Sequence, residues 1–286
     1  MTTFMNILIL GGIWGALYTL IAVGFTLIFG VAGIINLSHG AFYMLGAYLA
    51  YTFITLLGMN VPTGALIAVL GTAMIGMLID RYAIRYMRET HVYVLIITLA
   101  VALFFQELMY AFYGPHGKAV ESFIVGDMTI MDVHVSYQKI LTFFVSGALV
   151  TLLWLFIKKT KTGKAIDAVA QNREAAVFMG IQPEKIYMIT MGISAALAAI
   201  AGVLIAPILE AVPTMWAFPL FKAFAVVIIG GLGSITGAII AGMLLGYAET
   251  SVSVLISANY PDLVYLFAII LVLVLRPRGL MGKRSH

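Results

Sequence analysis

The chain has 286 residues, of which 63% are hydrophobic and only 10% charged, and it contains no cysteine. A water-soluble domain carries about a quarter charged residues and cannot hide this much apolar surface, so a soluble enzyme or nucleic-acid-binding protein is excluded and lipid is the solvent. The formal charge of +4 is then a matter of where the basic residues sit, and disulfide or thiol chemistry has no residue to carry it.

The apolar residues come in long runs rather than short alternating strands. In lipid each run must satisfy its own backbone hydrogen bonds, which predicts helices and not a barrel. The expected fold class is an all-α polytopic membrane protein with about nine crossings, eight to ten, including glycine-rich broken or re-entrant segments. A single transmembrane domain over 1–286 is expected, with loops at 113–136 and 158–185. The first run, 4–29, follows no basic stretch and ends at no small-residue cleavage site, so it reads as a retained helix rather than a signal peptide. Runs at 40–57 and 63–80 lead to a basic cluster of Arg81, Arg85 and Arg88. Runs at 92–112 and 137–157 flank a segment with Glu121, Asp127 and Asp132 against Lys118. A second basic cluster comprises Lys158, Lys159, Lys161, Lys164, Arg173 and Lys185; after runs at 186–208, 217–232, 235–257 and 263–275, a third comprises Arg276, Arg278, Lys283 and Arg284. Of the sixteen basic residues, only Lys118, Lys139 and Lys222 lie elsewhere. The positive-inside rule puts the three clusters in the cytoplasm and 113–136 outside; counting runs between them places the N-terminus outside and the C-terminus inside.

Glycines cluster within the runs, as Gly11-x-x-x-Gly15, Gly40 with Gly46, Gly192 with Gly202, and Gly242-x-x-x-Gly246. Small residues four apart let helix backbones approach where no hydrophobic force drives them together; a substrate-lining seam is the alternative reading. Two places read as interrupted helices. In the first, Asn36, Ser38, His39 and Gly40 stand between apolar runs; the second holds Gly230, Gly231, Gly233 and Ser234. Each is followed by Gly-Ala and then a further glycine and a tyrosine, a hint of internal duplication, and paired breaks of this kind point to a transport pathway. His39 has three readings: a hydrogen bond to a backbone carbonyl or a helix cap, a part in gating, or a metal ligand, for which no second ligand stands nearby. No catalytic constellation and no Gly-x-x-x-x-Gly-Lys-Ser/Thr string occurs, so ATP cannot be split on this chain by a P-loop.

Lys222 and Glu249 are charges inside apolar runs. Counting from the turn at 233–235 puts them roughly 15 and 21 Å from the cytoplasmic end, near enough for a buried pair or for separate snorkelling. The loop 163–181 is alanine-rich at helical spacing, with Ala165, Ala168, Ala175 and Ala176 leaving a narrow surface, Gly180 as a stop and Pro183 beyond it. It reads as a docking helix for a partner; an amphipathic helix lying on lipid is the alternative.

Taken together, 17–30, Ile35-Asn36-Leu37-Ser38-His39-Gly40, the loop 163–181, Lys222-Ala223-Phe224 with Gly230-Gly231-Leu232-Gly233-Ser234, and Arg276-Pro277-Arg278-Gly279-Leu280 resemble the permease subunits of branched-chain amino acid type ABC importers. The resemblance is to the smaller, LivH-like member and spans nearly the whole chain. It implies that Gly163, Ala168, Glu174, Ala175, Ala176 and Gly180 couple to an ATPase. It further implies that the two breaks lie beside the pathway, and that the partners are a second, LivM-like permease, two cytoplasmic ATP-binding subunits and an external solute-binding protein. ATP and Mg would sit on the ATPase subunits, with no cofactor on this chain. Arg85-Tyr86-Met87-Arg88 and Thr98-Leu99-Ala100 depart from the usual family pattern by lacking its proline and glycine. The substrate expected is a branched-chain or related hydrophobic amino acid; urea, short amides and aromatic acids are handled by similar importers, and a secondary transporter or channel is the more distant alternative.

Overall fold

A computed structural model describes residues 2–130, 132–276 and 279–281; Pro277, Arg278, Lys283 and Arg284 lie outside the described residues. Among the described residues eleven α-helices form a bundle: α1 Thr2–Ala32, α2 Ser38–Ala50, α3 Val61–Tyr82, α4 His91–Tyr113, α5 Tyr137–Lys159, α6 Lys161–Gln171, α7 Arg173–Phe178, α8 Pro183–Leu209, α9 Ala217–Gly230, α10 Ile235–Leu255 and α11 Pro261–Leu275. A π-helical turn, Tyr51–Leu56, extends α2. The loop between α4 and α5 holds a small hairpin that the sequence pattern does not predict, β1 Asp127–Ile130 paired antiparallel with β2 Val133–Ser136.

Among the described residues six helices, not nine, are long and apolar enough to cross a membrane alone: α1, α3, α4, α5, α8 and α10. The other three expected crossings are shortened for identifiable reasons. The chain leaves helical geometry at 33–37, so α2 starts late and reaches its far end through the π turn. The α9 helix has 14 residues because 210–216 is irregular, and α11 has 15. The Gly230 to Gly237 stretch is a tight turn between α9 and α10 rather than a broken or re-entrant helix. Gly231 and Gly233 take positive φ there, and the Ser234 hydroxyl accepts the Gly237 N–H to cap α10. Its geometry therefore differs from that of the break at 33–37.

α1 and α8 are the most enclosed of the six long helices, with 72% and 67% of their apolar windows buried; α3, α4 and α5 bury under a third. The centre is assembled by close backbone approach. Gly246 of α10 packs against Gly15 and Gly11 of α1, and Gly242 against Thr19. Gly46 of α2 sits on Ala199 of α8, while Gly202 of α8 sits on the Tyr43 carbonyl of α2. A β-carbon at any of these four contacts would collide with backbone atoms.

Two loop faces result. On one, which carries the first two basic clusters and Arg276, the end of α1 meets the α9–α10 turn through Gly30 and Gly233, and residues 280 and 281 donate to the carbonyls of Ile229 and Gly230. On the opposite, hairpin face, Ile13 of α1 packs on Val133 and Val135, and Lys118 exchanges backbone hydrogen bonds of 2.9 Å with Ala211.

Gly202→Val is expected to abolish recovery of monodisperse protein, because no side-chain rotation relieves a clash with backbone. Gly147→Ala on α5, where an added β-carbon meets nothing within 4 Å, should raise the melting temperature slightly, by the ~0.5–1 kcal/mol of helix-interior Gly→Ala. Equal recovery of the two variants would overturn the close-packing account.

Candidate functional site

The loop read as one docking helix is two. Thr160 opens α6, its hydroxyl accepting the Gly163 N–H at 2.9 Å, and Asn172 breaks the helix by leaving helical geometry and capping α7 through the Ala175 N–H at 2.9 Å. This is the ordinary chemistry of short polar side chains at helix starts. α7 ends where Gly180, at φ +80°, and Ile181 return their N–H groups to the carbonyls of Val177 and Ala176, the double closure that favours glycine.

The burial of the loop corrects which residues face outward. Gly163 is buried, and its role is to let the start of α6 pass the backbone of Phe156 and Ile157. Ala176 is buried at 3% exposure, and Ala168 is half-buried. The projecting surface comprises Glu174, Ala175, Val177, Phe178 and Met179, the last two 90% and 82% exposed. The outward face is thus large and apolar instead of narrow and alanine-lined.

Beneath this surface lies an ionic node absent from the sequence reading. Arg88, its side chain only 8% exposed, bonds Asp80 of α3 at 2.5 Å and Glu184 of α8 at 2.8 Å, and its guanidinium stacks 4.2 Å from the Tyr187 ring centre. Arg85 and Arg173 also reach Glu184, at 3.5 and 3.6 Å. The node ties α3, the loop before α4, α7 and α8 together. Its signal in the sequence was Asp80, a carboxylate ending an otherwise apolar run beside three arginines.

Asn36, Ser38, His39 and Gly40 are buried within the bundle. The Asn36 amide oxygen accepts from the Ser38 backbone and hydroxyl at 3.0 and 2.5 Å, which fixes the start of α2. His39 Nε2 lies 3.0 Å from the Ile21 carbonyl, an acceptor only, so Nε2 carries the proton and Nδ1 accepts from Ser194 at 3.1 Å. The ring joins α1, α2 and α8. Gly40 admits the Trp216 carbonyl at the start of α9. Among the described residues no group of three His, Asp or Glu side chains is placed to hold a metal. Of the second set, Gly230 and Gly231 are buried, while Gly233 is exposed at the turn with Ser234 half-buried.

Lys222 and Glu249 come together: Nζ lies 2.9 Å from Glu249 Oε2, 3.2 Å from Asp262 and 3.1 Å from the Tyr18 hydroxyl, which itself donates to Glu249 at 2.7 Å. The cluster borders a cavity of about 550 Å³ near the hairpin face.

The structure is a polytopic bundle of apolar helices whose buried polar residues join helices to one another, with a capped loop offering apolar side chains outward. A family described as the branched-chain amino acid transport system permease component matches residues 7–275. The chain is similar to the high-affinity branched-chain amino acid transport system permease proteins BraD of Pseudomonas aeruginosa, at 34% identity, and LivH of Escherichia coli K12, at 31%; each comparison covers 94% of this chain and 92% of the relative. A solved structure, PsaBC from Streptococcus pneumoniae in complex with Fab, shares the fold with a TM-score of 0.55 at 14% identity, over 95% of this chain and 92% of that one. The chain belongs to the family of branched-chain amino acid transport system permease components, and is a transport subunit rather than an enzyme.

Two outcomes follow from the buried charges. Arg88→Met leaves Asp80 uncompensated, and a loss of ~3–5 kcal/mol is expected as a fall of many degrees in melting temperature. Arg85→Ala, at an exposed pair, should cost ~1 kcal/mol or less; equal shifts for the two would remove the node's structural role. Lys222→Met and Glu249→Leu should each destabilise, and their combination should cost less than the sum, since no lone charge stays buried. Additive losses in that double-mutant cycle would show that the two side chains act independently.

Proposed function

We propose that this chain forms half of the transmembrane pathway of an ATP-driven importer for branched-chain or related hydrophobic amino acids. It works with a second, homologous permease, two cytoplasmic ATP-binding subunits that hold ATP and Mg, and a solute-binding protein outside. The similarity to BraD and LivH, permeases of high-affinity branched-chain amino acid transport, supports the substrate class. The face bearing the basic clusters is cytoplasmic by the positive-inside rule, which leaves the N-terminus and the hairpin outside.

In this reading the chain passes the membrane nine times, through α1, α2 with its π turn, α3, α4, α5, α8, α9, α10 and α11. At 1.5 Å per residue, α9 and α11 span only about 21 and 22 Å of a ~30 Å core. Irregular backbone at 33–37 and 210–216 is tolerated at depth because it lies among protein atoms, with Asn36, Ala211 and Trp216 all buried.

The observation that carries the coupling role is the exposed apolar apex of Val177, Phe178 and Met179 on a rigidly capped loop. Closure of the ATP-binding subunits moves this apex. Arg173 and Glu184 pass the movement to α8 through the Arg88 node, and α8 holds His39 and the start of α2. Asn36, Ser38, His39 and Gly40 then act as the joint at which the pathway alternates, rather than as ligands. Glu174, Ala175 and Gly180 complete the docking surface, with Gly163, Ala168 and Ala176 supporting it from behind.

Phe178→Asp should leave the melting temperature of the subunit unchanged, because the side chain is exposed, while the ATPase subunits dissociate or hydrolyse ATP without responding to ligand-loaded binding protein. Normal ligand-stimulated hydrolysis and uptake by this variant would remove the docking assignment.

A further inference from the structure

α4 and α8 both end on the hairpin face, and both leave helical geometry through backbone angles that only glycine takes freely. At the end of α4 the residue is Gly114, at φ 74° and ψ −176°. At the end of α8 it is Glu210, at φ 58° and ψ 153°. For a residue with a β-carbon this region is strained, and such residues persist only where their surroundings hold them. Among the described residues the one other non-glycine with a positive φ is Asp132, which turns the hairpin, where a short polar side chain tolerates such backbone.

Glu210 is held by the backbone on either side of it. Its N–H reaches the Ala206 carbonyl at 3.0 Å, and the next residue, Ala211, is fully buried and exchanges two hydrogen bonds of 2.9 Å with Lys118. The Glu210 side chain is exposed, and its carboxylate lies against Gly117. The strained residue opens 210–216, the irregular segment joining α8 to α9. Glu210, Val212 and Met215 of this segment form part of the wall of the cavity of about 550 Å³. At the far end of the segment the Trp216 carbonyl meets Gly40, next in sequence to His39.

We propose that 210–216 is a sprung strap on the hairpin face, which swings away from the cavity when the hydrogen bonds between Lys118 and Ala211 break. Closed, those two bonds hold Glu210 in its strained backbone. Open, Glu210 relaxes to ordinary angles, and the relief offsets part of the cost of the lost bonds. The closed and open forms then lie close in free energy, so that a partner touching this face shifts the population between them. The same movement displaces Trp216 on Gly40, which carries opening of the strap to α2 and the His39 joint. A glycine at 210, like Gly114 on α4, would store no strain and leave the strap shut. The role as an outer gate rests on the importer reading above.

Amide hydrogen exchange at Lys118 reads the bonds directly, since it follows the open population and its intrinsic rate is untouched by a substitution at 210. In the assembled complex Glu210→Ala removes the carboxylate and keeps the strain, whereas Glu210→Gly removes both. Exchange at Lys118 should be at least about fivefold slower in the glycine variant than in the alanine variant, the lower end of what one such residue stores. The glycine variant should also melt higher. Ligand-loaded binding protein should speed the exchange in the unsubstituted complex, and do so less in the glycine variant. A smaller difference between the two variants, a glycine variant that melts lower, or exchange at Lys118 indifferent to loaded binding protein would overturn the strap. Ligand-stimulated ATP hydrolysis by the unsubstituted complex separates the two levels. Normal stimulation with any of those results removes the strap and keeps the importer, whereas no stimulation at all removes the importer reading itself.

Discussion

Helices in lipid gain nothing from hiding apolar side chains against one another, so their association rests on how closely their backbones can approach. Here that constraint is met by glycines that face backbone across the two central seams, Gly11 and Gly15 with Gly246, and Gly46 and Gly202 with α8 and α2 respectively. Two of the polar joints lie beside glycines of these helices. Glu249 lies one turn past Gly246, and the Tyr18 side chain, leaning toward the N-terminus of α1 as long helical side chains do, reaches it. His39 can lie between α1 and α8 because Gly24 leaves room for its ring, a β-carbon there falling 3.0 Å from its Cε1.

The protein divides into a rigid centre and a periphery of apolar helices. α3, α4, α5 and α11 present wide apolar faces, including Leu66, Leu70, Ile96, Phe104 and Ile270. In water these would be liabilities, whereas in a bilayer they are the ordinary outer surface. The centre holds the polar joints, such as His39 between α1, α2 and α8 and Lys222 with Glu249 between α9 and α10, and each constrains the relative placement of helices rather than the conformation of one.

Legibility in the sequence followed the physical origin of each feature. Every apolar run became a helix, because backbone satisfaction in lipid allows little else, and Gly180 stood at a helix end for the local reason that only glycine takes its conformation freely. Helix lengths were less legible: the break before Ser38 was marked by its polar residues, but nothing in the sequence showed that α2 would end in a π turn or that α9 would stop after 14 residues. The opposite charges Lys222 and Glu249 could be matched by depth, but Tyr18 and Asp262 join them from distant parts of the chain. Asn172 reads as one polar residue among several in the loop, and only its cap on Ala175 reveals a break. The Arg88 node was hidden for the same reason as the cavity, since both are made by tertiary proximity between segments that carry no shared pattern.

The break at Asn172 has a mechanical consequence. α6 is seated against the end of α5 at Gly163, whereas α7 is closed onto the turn before α8 by the Ile181 N–H on the Ala176 carbonyl and is held to α8 through Arg173 and Glu184. The single extended residue between them is a pivot, and Phe178 stands six residues beyond it, a lever arm of about 9 Å at helical rise. In the coupling proposed above, a push on Phe178 would act about Asn172 and reach α8 through Arg173 and Glu184, whereas a continuous helix over the same residues would have carried the force to the end of α5 as directly.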